Sequence, residues 1–492
     1  MKGHTPIPEN VARFTTDEIL RATNGSLQNA APGTERSREH LGVTSDSRGV
    51  KAGSVFVALV GEKNDAHDFV DGAIQKGATA VLVRRGFQPE AVSAEGRGVA
   101  IIEVDDTLVA LGALARFHLE RWRARSRGKV IAITGSAGKT TTKELTRALL
   151  EVRATPHATL GNLNNRVGVP FVVLGLLPSH SHLVAEVGMS LRHEISALAA
   201  IVDPDVAIIT NIGGAHAEGV GGRDLVATEK GDLFAALRKD ALAIQNLVDA
   251  AVGEQVKRTL AKRVTFGKEG ATYRLNALEV RGAEGSRLTV TTPSGSGDIL
   301  FPFLGEGQAL DLLAAWAAVD KVLEAPLTLA EVSLALRQLS PLSGRARVTK
   351  LADGTVLIDD SYNANPTSMR ASIESASQLA KKESRRLVLV LGEMKELGAE
   401  AEKEHAALAE VVRHADAAVV LGCGGLIEHS LKGVAGARIL GSAEEAKAEA
   451  LEQVRAGDVV LVKGSRSVGT EIVAEALVFK AETSAKKAGE PS

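Results

Sequence analysis

Short apolar runs recur along the chain, each closed by glycine, an amide or an acid, and separated by stretches with helical periodicity. They read S-V-F-V-A-L, A-T-A-V-L-V, V-I-A-I-T, L-V-A-E-V-G-M and D-V-A-I-I-T-N-I. After them come L-I-D-D-S-Y, L-V-L-V-L-G, A-A-V-V-L-G and D-V-V-L-V-K-G. Runs this short and this apolar, alternating with helices, predict strands buried on both faces, hence parallel α/β sheets. Helix starts are legible too: Thr15-Thr16-Asp17-Glu18 resembles a capping box, and Asp106-Thr107 opens a helix to about Arg125. Near Thr265 the texture turns β-rich, then becomes helical from Ala309 to about Ser340.

The pattern predicts an α/β protein of three domains. Residues 1–106 form a small α/β unit with a polar, frayed start, and 107–340 a central unit with a parallel sheet. Residues 341–492 form a doubly wound, Rossmann-like unit, with Pro341 to Gly344 as hinge and a disordered tail of about ten residues rich in Lys, Ala, Gly and Pro.

Composition narrows the function. A chain of 492 residues exceeds one ordinary domain. A formal net charge of −2 gives no electrostatic case for nucleic acid or an anionic membrane. The single cysteine, Cys423, excludes an internal disulfide framework and fits a reducing compartment. No apolar run approaches a membrane span or a signal-peptide core, so the expected location is cytoplasmic.

The most informative segment is Val130 to Glu144, V-I-A-I-T-G-S-A-G-K-T-T-T-K-E. A buried strand, a glycine-rich turn and a helix start make a phosphate-binding loop, Gly135-Ser136-Ala137-Gly138-Lys139-Thr140-Thr141, in which backbone N–H groups and the helix dipole meet an anion. Lys139 would reach the β/γ-phosphates and the Thr140 hydroxyl would ligate Mg²⁺. The loop is shorter than the common spacing, because Gly135 and Gly138 sit only three apart.

Other candidates follow strands. Glu186 ends a strand beside the loop, where a Mg²⁺-binding acid belongs. His216, in T-N-I-G-G-A-H-A-E-G, falls on a loop at the same sheet edge. Asp359, Tyr362, Asn363 and Asn365 lie in D-D-S-Y-N-A-N-P, which is richer in acids and amides than a plain turn requires. Lys463 and Ser465, in K-G-S-R-S, suit an anionic group at a helix start. Lys230 is, on local grounds, an ordinary helical lysine.

Together these pieces resemble the Mur ligase superfamily, the ATP-dependent amide-forming enzymes of bacterial cell-wall precursor synthesis. The likeness rests on T-G-S-A-G-K-T-T-T-K and on the N-terminal S-D-S-R-G-V-K-A-G-S-V-F-V-A-L. It rests also on G-N-L-N-N-R-V-G-V-P, D-D-S-Y-N-A-N-P-T-S-M, L-G-E-M-K-E-L-G and V-K-G-S-R-S. The last four resemble the member that joins D-alanyl-D-alanine to UDP-N-acetylmuramoyl-tripeptide through an acyl phosphate.

The resemblance implies that 1–106 holds the UDP-sugar, 107–340 binds ATP and 341–492 brings the amine, in a monomer. It implies that Ser47 and Arg48 face the UDP-sugar and that Asn164 and Asn165 lie near the tripeptide. Arg345, Asp359 and Asn363 are implied near the nucleotide, and Tyr362, Asn365, Lys463 and Ser465 near substrate. By the same likeness Thr140, Glu186, His216 and a carbamylated Lys230 would hold Mg²⁺, two ions in number.

One departure stands out: relatives carry G-x-H-N-x-x-N near the nucleotide, where this chain has Gly305-Glu306-Gly307-Gln308-Ala309-Leu310-Asp311. The rival readings are another ligase of the superfamily, a phosphate-loop ATPase switch and a degenerate nucleotide binder. The Y-N-A-N-P stretch and the absence of D-N-P-R argue against the third-amino-acid ligase. The short loop argues against the switch, and intact Lys139, Thr140, Glu186 and Lys230 against the degenerate binder.

Overall fold

The computed structural model describes residues 5–28, 36–61, 64–88, 98–213, 217–339 and 343–489. It is mixed α/β, as the apolar runs predict, with three large sheets. In the first, Val43–Thr44, Val55–Val57, Ala80–Arg84 and Ala100–Val104 run parallel, with Ser26–Leu27 antiparallel at the edge.

The second sheet has nine strands. Its parallel part sets the phosphate-loop strand Lys129–Thr134 between His182–Glu186 and Val206–Ile209. The irregular β-rich texture after Thr265 becomes an antiparallel extension, Tyr273–Val280, Ser286–Thr292 and Gly295–Phe301. Strands such as Val206–Ile209 are buried throughout, which is why they read as continuous apolar runs.

The third sheet is parallel except at one edge. Val356–Asp360, Val459–Lys463, Leu387–Gly392 and Val419–Cys423 lie side by side, and Arg347–Lys350 pairs antiparallel with the first of them. Helices cover both faces, giving separate cores on either side of this sheet. Few aromatics are needed because Val, Ile, Leu and Ala fill the layers.

Helix starts follow the sequence closely. Thr15 and Glu18 form the reciprocal capping box, and Asp106 caps Thr107–Ser126 by accepting from Leu108 N and Val109 N. Two expectations change. The N-terminal segment is tied down from Thr5: Asn162 N donates to the Thr5 hydroxyl, and Asn10 exchanges hydrogen bonds with the Val43 backbone. The expected disordered tail is helical as far as it is described, since Glu471–Gly489 is one helix, and residues 490–492 lie outside the described residues. Its Ala, Lys and Glu are good helix formers, and Leu477 and Ala481 are buried against the third sheet's core. Of the expected hinge, Pro341 and Leu342 lie outside the described residues. Among the described residues no helix is long and apolar enough to cross a membrane.

Candidate active site

A cleft of about 340 Å³ opens where the carboxyl ends of the second and third sheets face each other. Ligands in open α/β sheets bind at this edge because loops and helix N-termini converge there. Its lining comes from both sheets: Ser136, Ala137, Gly138, Lys139, Thr140 and Thr141 from the phosphate loop, with Asn164, Asn165 and Glu186, and opposite them Arg345, Tyr362, Asn363, Asn365 and Lys463.

The loop is clamped by the neighbouring strand. Asn211 accepts from Ala137 N at 2.9 Å and returns a hydrogen bond to Ala137 O at 3.0 Å. The Thr210 hydroxyl also donates to Ala137 O. A Cβ at Gly135 would fall 1.8 Å from that hydroxyl, so only glycine permits this approach. Asn211 was missed by sequence reasoning, although an amide directly after a buried strand at this edge was the available signal.

Two lysines meet under the loop. Lys139 donates to the Gly135 carbonyl at 2.8 Å, and the fully buried Lys230 reaches the same oxygen at 3.1 Å. Burial lowers both amine pKa values. Lys230 goes well below the usual lysine range, helped by the charge of Lys139, while Glu186 pulls Lys139 back up. Nothing in the local sequence around Lys230 announces this position.

Thr140 and Glu186 also come together, the hydroxyl donating to Glu186 Oε2 at 2.9 Å. Asn164 holds the other carboxylate oxygen at 2.8 Å, and Asn165 caps the following turn through Gly168 N. Among the described residues no cluster of three or more His, Cys, Asp or Glu is placed to hold a metal. A hydroxyl and a carboxylate beside a phosphate loop nevertheless fit Mg²⁺, which takes few protein oxygens and completes its shell with phosphate and water. His216 lies outside the described residues.

Across the cleft, Lys463 is buried and donates to Asp360 Oδ2 at 2.5 Å and to the Asn363 carbonyl at 3.0 Å. The Arg345 guanidinium lies 3.9 Å over the Tyr362 ring. Asp360, rather than its neighbour Asp359, lines the cleft. Asp359 stands behind it, accepting from Gly344 N at 2.9 Å and from the Ser361 hydroxyl. Strand alternation decides this, because adjacent residues point to opposite faces. Ser465 also stands outside the cleft lining, accepting from Lys395 N at 2.9 Å. Ser47 and Arg48 belong to the first sheet's surface, where Arg48 pairs with Asp46 at 2.8 Å and Lys76 donates to the Ser47 carbonyl. The cleft does not include them.

Comparisons with known proteins agree with this arrangement. Family models match in three places: the Mur ligase family catalytic domain at residues 40–118, the Mur ligase middle domain at 133–319 and the Mur ligase glutamate ligase domain at 344–466. The UDP-N-acetylmuramoyl-tripeptide–D-alanyl-D-alanine ligase of Escherichia coli K12 is 34% identical over 94% of this chain and 98% of its own length. This chain belongs to the Mur ligase family.

Solved Mur ligases share the fold. A crystal structure of MurF from Acinetobacter baumannii has a TM-score of 0.83 at 30% identity, covering 96% of this chain and 100% of that one. MurF from Thermotoga maritima, in complex with ADP, has a TM-score of 0.79 at 28% identity, covering 90% of this chain and 98% of that one.

Proposed function

We propose that this Mur ligase joins D-alanyl-D-alanine to UDP-N-acetylmuramoyl-tripeptide at the expense of ATP, through an acyl phosphate. Adenine nucleotide use is supported by the phosphate loop and by the ADP bound to the similar Thermotoga maritima protein. The observation that carries the reading is a single cleft lined by a phosphate loop on one side and by Tyr362, Asn363, Asn365 and Lys463 on the other. Such a cleft can hold ATP and an acceptor carboxylate against one sheet while the other presents an amine.

The chemistry follows from what the groups can do. A carboxylate resists attack by an amine, so its oxygen first takes the γ-phosphoryl group. The amine then attacks the carbonyl carbon, the tetrahedral species expels phosphate, and a proton leaves the nitrogen. Lys139 neutralises charge on the transferring group, and Thr140, Glu186 and His216 are the proposed Mg²⁺ ligands. Bound Mg²⁺ supplies further charge neutralisation on the phosphates. The cleft's closure by the third sheet keeps water from the acyl phosphate.

Lys230 is the proposed carbamate. A neutral amine attacks the carbon of CO₂ and releases a proton, which turns a cation into an anion suited to the metal side of the loop. Its depressed pKa and, among the described residues, its lack of a carboxylate partner support this role. Ser47 and Arg48 are assigned to the UDP-sugar, on a unit spanning 1–106. Residues 107–340 then bind ATP and 341–492 bring the dipeptide, in a cytoplasmic monomer.

Phosphate release from Mg-ATP, measured with each substrate alone and with both, together with the product mass, tests the proposal. Release that needs both substrates and a product of pentapeptide mass is the expected result. ATP turnover without them would favour a switch-like ATPase, and none at all would end the ligase reading.

A further inference from the structure

Asp311 is a cleft acid with no place in the reaction described above. It lies on the helix Glu306–Val322, which packs along the phosphate-loop helix Lys139–Glu151. The residue is only 7% exposed, yet it lines the cleft. It presses on the loop itself: a Cβ added to Gly138 would fall 2.3 Å from Oδ1 and 2.6 Å from Oδ2.

The charged groups around it are engaged elsewhere. On the phosphate-loop helix, Lys139 turns to the Gly135 carbonyl, Lys143 to Glu144 and the Thr159 carbonyl, and Arg147 to Glu144 and Glu151. On its own helix, Glu306 pairs with Lys268 and Asp320 accepts from Tyr273 of the adjoining strand. Across the cleft Arg345 stacks on Tyr362, and Asp360 is held by Lys463. The Thr142 hydroxyl is turned toward Asp311 and has no partner at bonding distance. Burial pushes the Asp311 pKa well above the carboxylate range; the Thr142 hydroxyl pulls the other way, but no cation does.

An ionised carboxylate at this point would be buried without a counter-charge and would repel a polyphosphate seated on the same glycine. A protonated carboxyl is instead a hydrogen-bond donor. We propose that Asp311 binds the nucleotide as a neutral acid, donating its O–H to a phosphoryl oxygen held on the phosphate loop. The inference rests on the reading of the cleft as a nucleotide site.

The test is calorimetric titration of the full chain with ADP and Mg²⁺ from pH 6 to 9, for the unaltered protein, Asp311→Asn and Asp311→Leu. Asn keeps a donor of the same shape without a titrating proton. The unaltered protein should lose affinity as pH rises, relative to Asp311→Asn, so that the ratio of their Kd values grows by tenfold or more across the range. Asp311→Leu should bind about tenfold more weakly than Asp311→Asn at every pH. Comparison of variants at each pH cancels ionisation of the ligand itself.

A ratio that stays flat, or Leu binding as tightly as Asn, overturns the proposal. Absence of ADP binding by all three proteins, with unfolding transitions intact, would instead overturn the nucleotide reading on which it rests.

Discussion

Asn365 of the third sheet's edge donates its side-chain amide to the Ser136 carbonyl of the phosphate loop at 3.1 Å. Its side-chain oxygen meanwhile caps the helix Pro366–Lys382 by accepting from Ser368 N. One side chain thus ties the start of a C-terminal helix to the nucleotide side of the cleft. Thr367 makes the same approach tight, since a Cβ at Gly213 would lie 2.7 Å from its hydroxyl.

Asn365→Asp should therefore separate the two roles. The carboxylate still caps the helix, so thermal stability should change little, but it cannot donate to Ser136 and adds negative charge beside the loop. Ligation should fall at least tenfold. Asn365→Ala should lose activity and also about 1 kcal/mol of stability through the lost cap. Steady-state rates and unfolding curves on both variants check this, and an Asp variant of full activity would remove the link from the mechanism.

Lys139→Ala should abolish phosphate release with every substrate combination, by a hundredfold or more, because charge on the transferring phosphoryl group then has no ammonium beside it. Near-normal turnover in a stopped assay of phosphate release would mean the loop has another role.

Lys230→Ala should abolish ligation and recover partly when short carboxylates such as acetate are added to fill the carbamate's place. A carbamate carbon signal should appear in the unaltered protein given ¹³C-bicarbonate and vanish in the variant. Full activity without rescue, or an unchanged ¹³C spectrum, would count against the carbamate.

His40 gives a pH prediction remote from the cleft. Its ring is buried between the Thr16 and Thr79 hydroxyls, at 3.0 and 2.8 Å. Burial, and secondarily the charge of Arg38, hold its pKa down at about 4. The unfolded chain protonates near the ordinary value of about 6.5. Its contribution is therefore complete above that pH and is lost as pH falls toward 4. Between pH 7 and pH 5 the loss comes to roughly 2 kcal/mol. Urea midpoints at those two pH values should converge for His40→Asn and diverge for the unaltered protein.

Much of this was open to view in the chain itself. Buried parallel strands announce themselves as unbroken apolar runs, and caps such as Thr15 with Glu18 are local chemistry between near neighbours. The phosphate loop was legible for the same reason, since its strand, glycines, Lys139 and Thr140 are contiguous. Asp359 against Asp360 was harder, because a one-residue difference in strand register exchanges the face presented to the cleft.

What the sequence by itself determined is the set of local decisions: which segments are strands, where helices begin, and where a phosphate can sit. These depend on backbone preferences and on neighbours a few residues apart. Only the tertiary structure decided that Lys230 lies under Gly135, that Asn211 clamps Ala137, that Asp311 presses on Gly138 and that Asn365 reaches Ser136. Those contacts join residues that are from 74 to 229 positions apart where they are hydrogen bonds. Their energies depend on sheet order and burial, which no local pattern encodes.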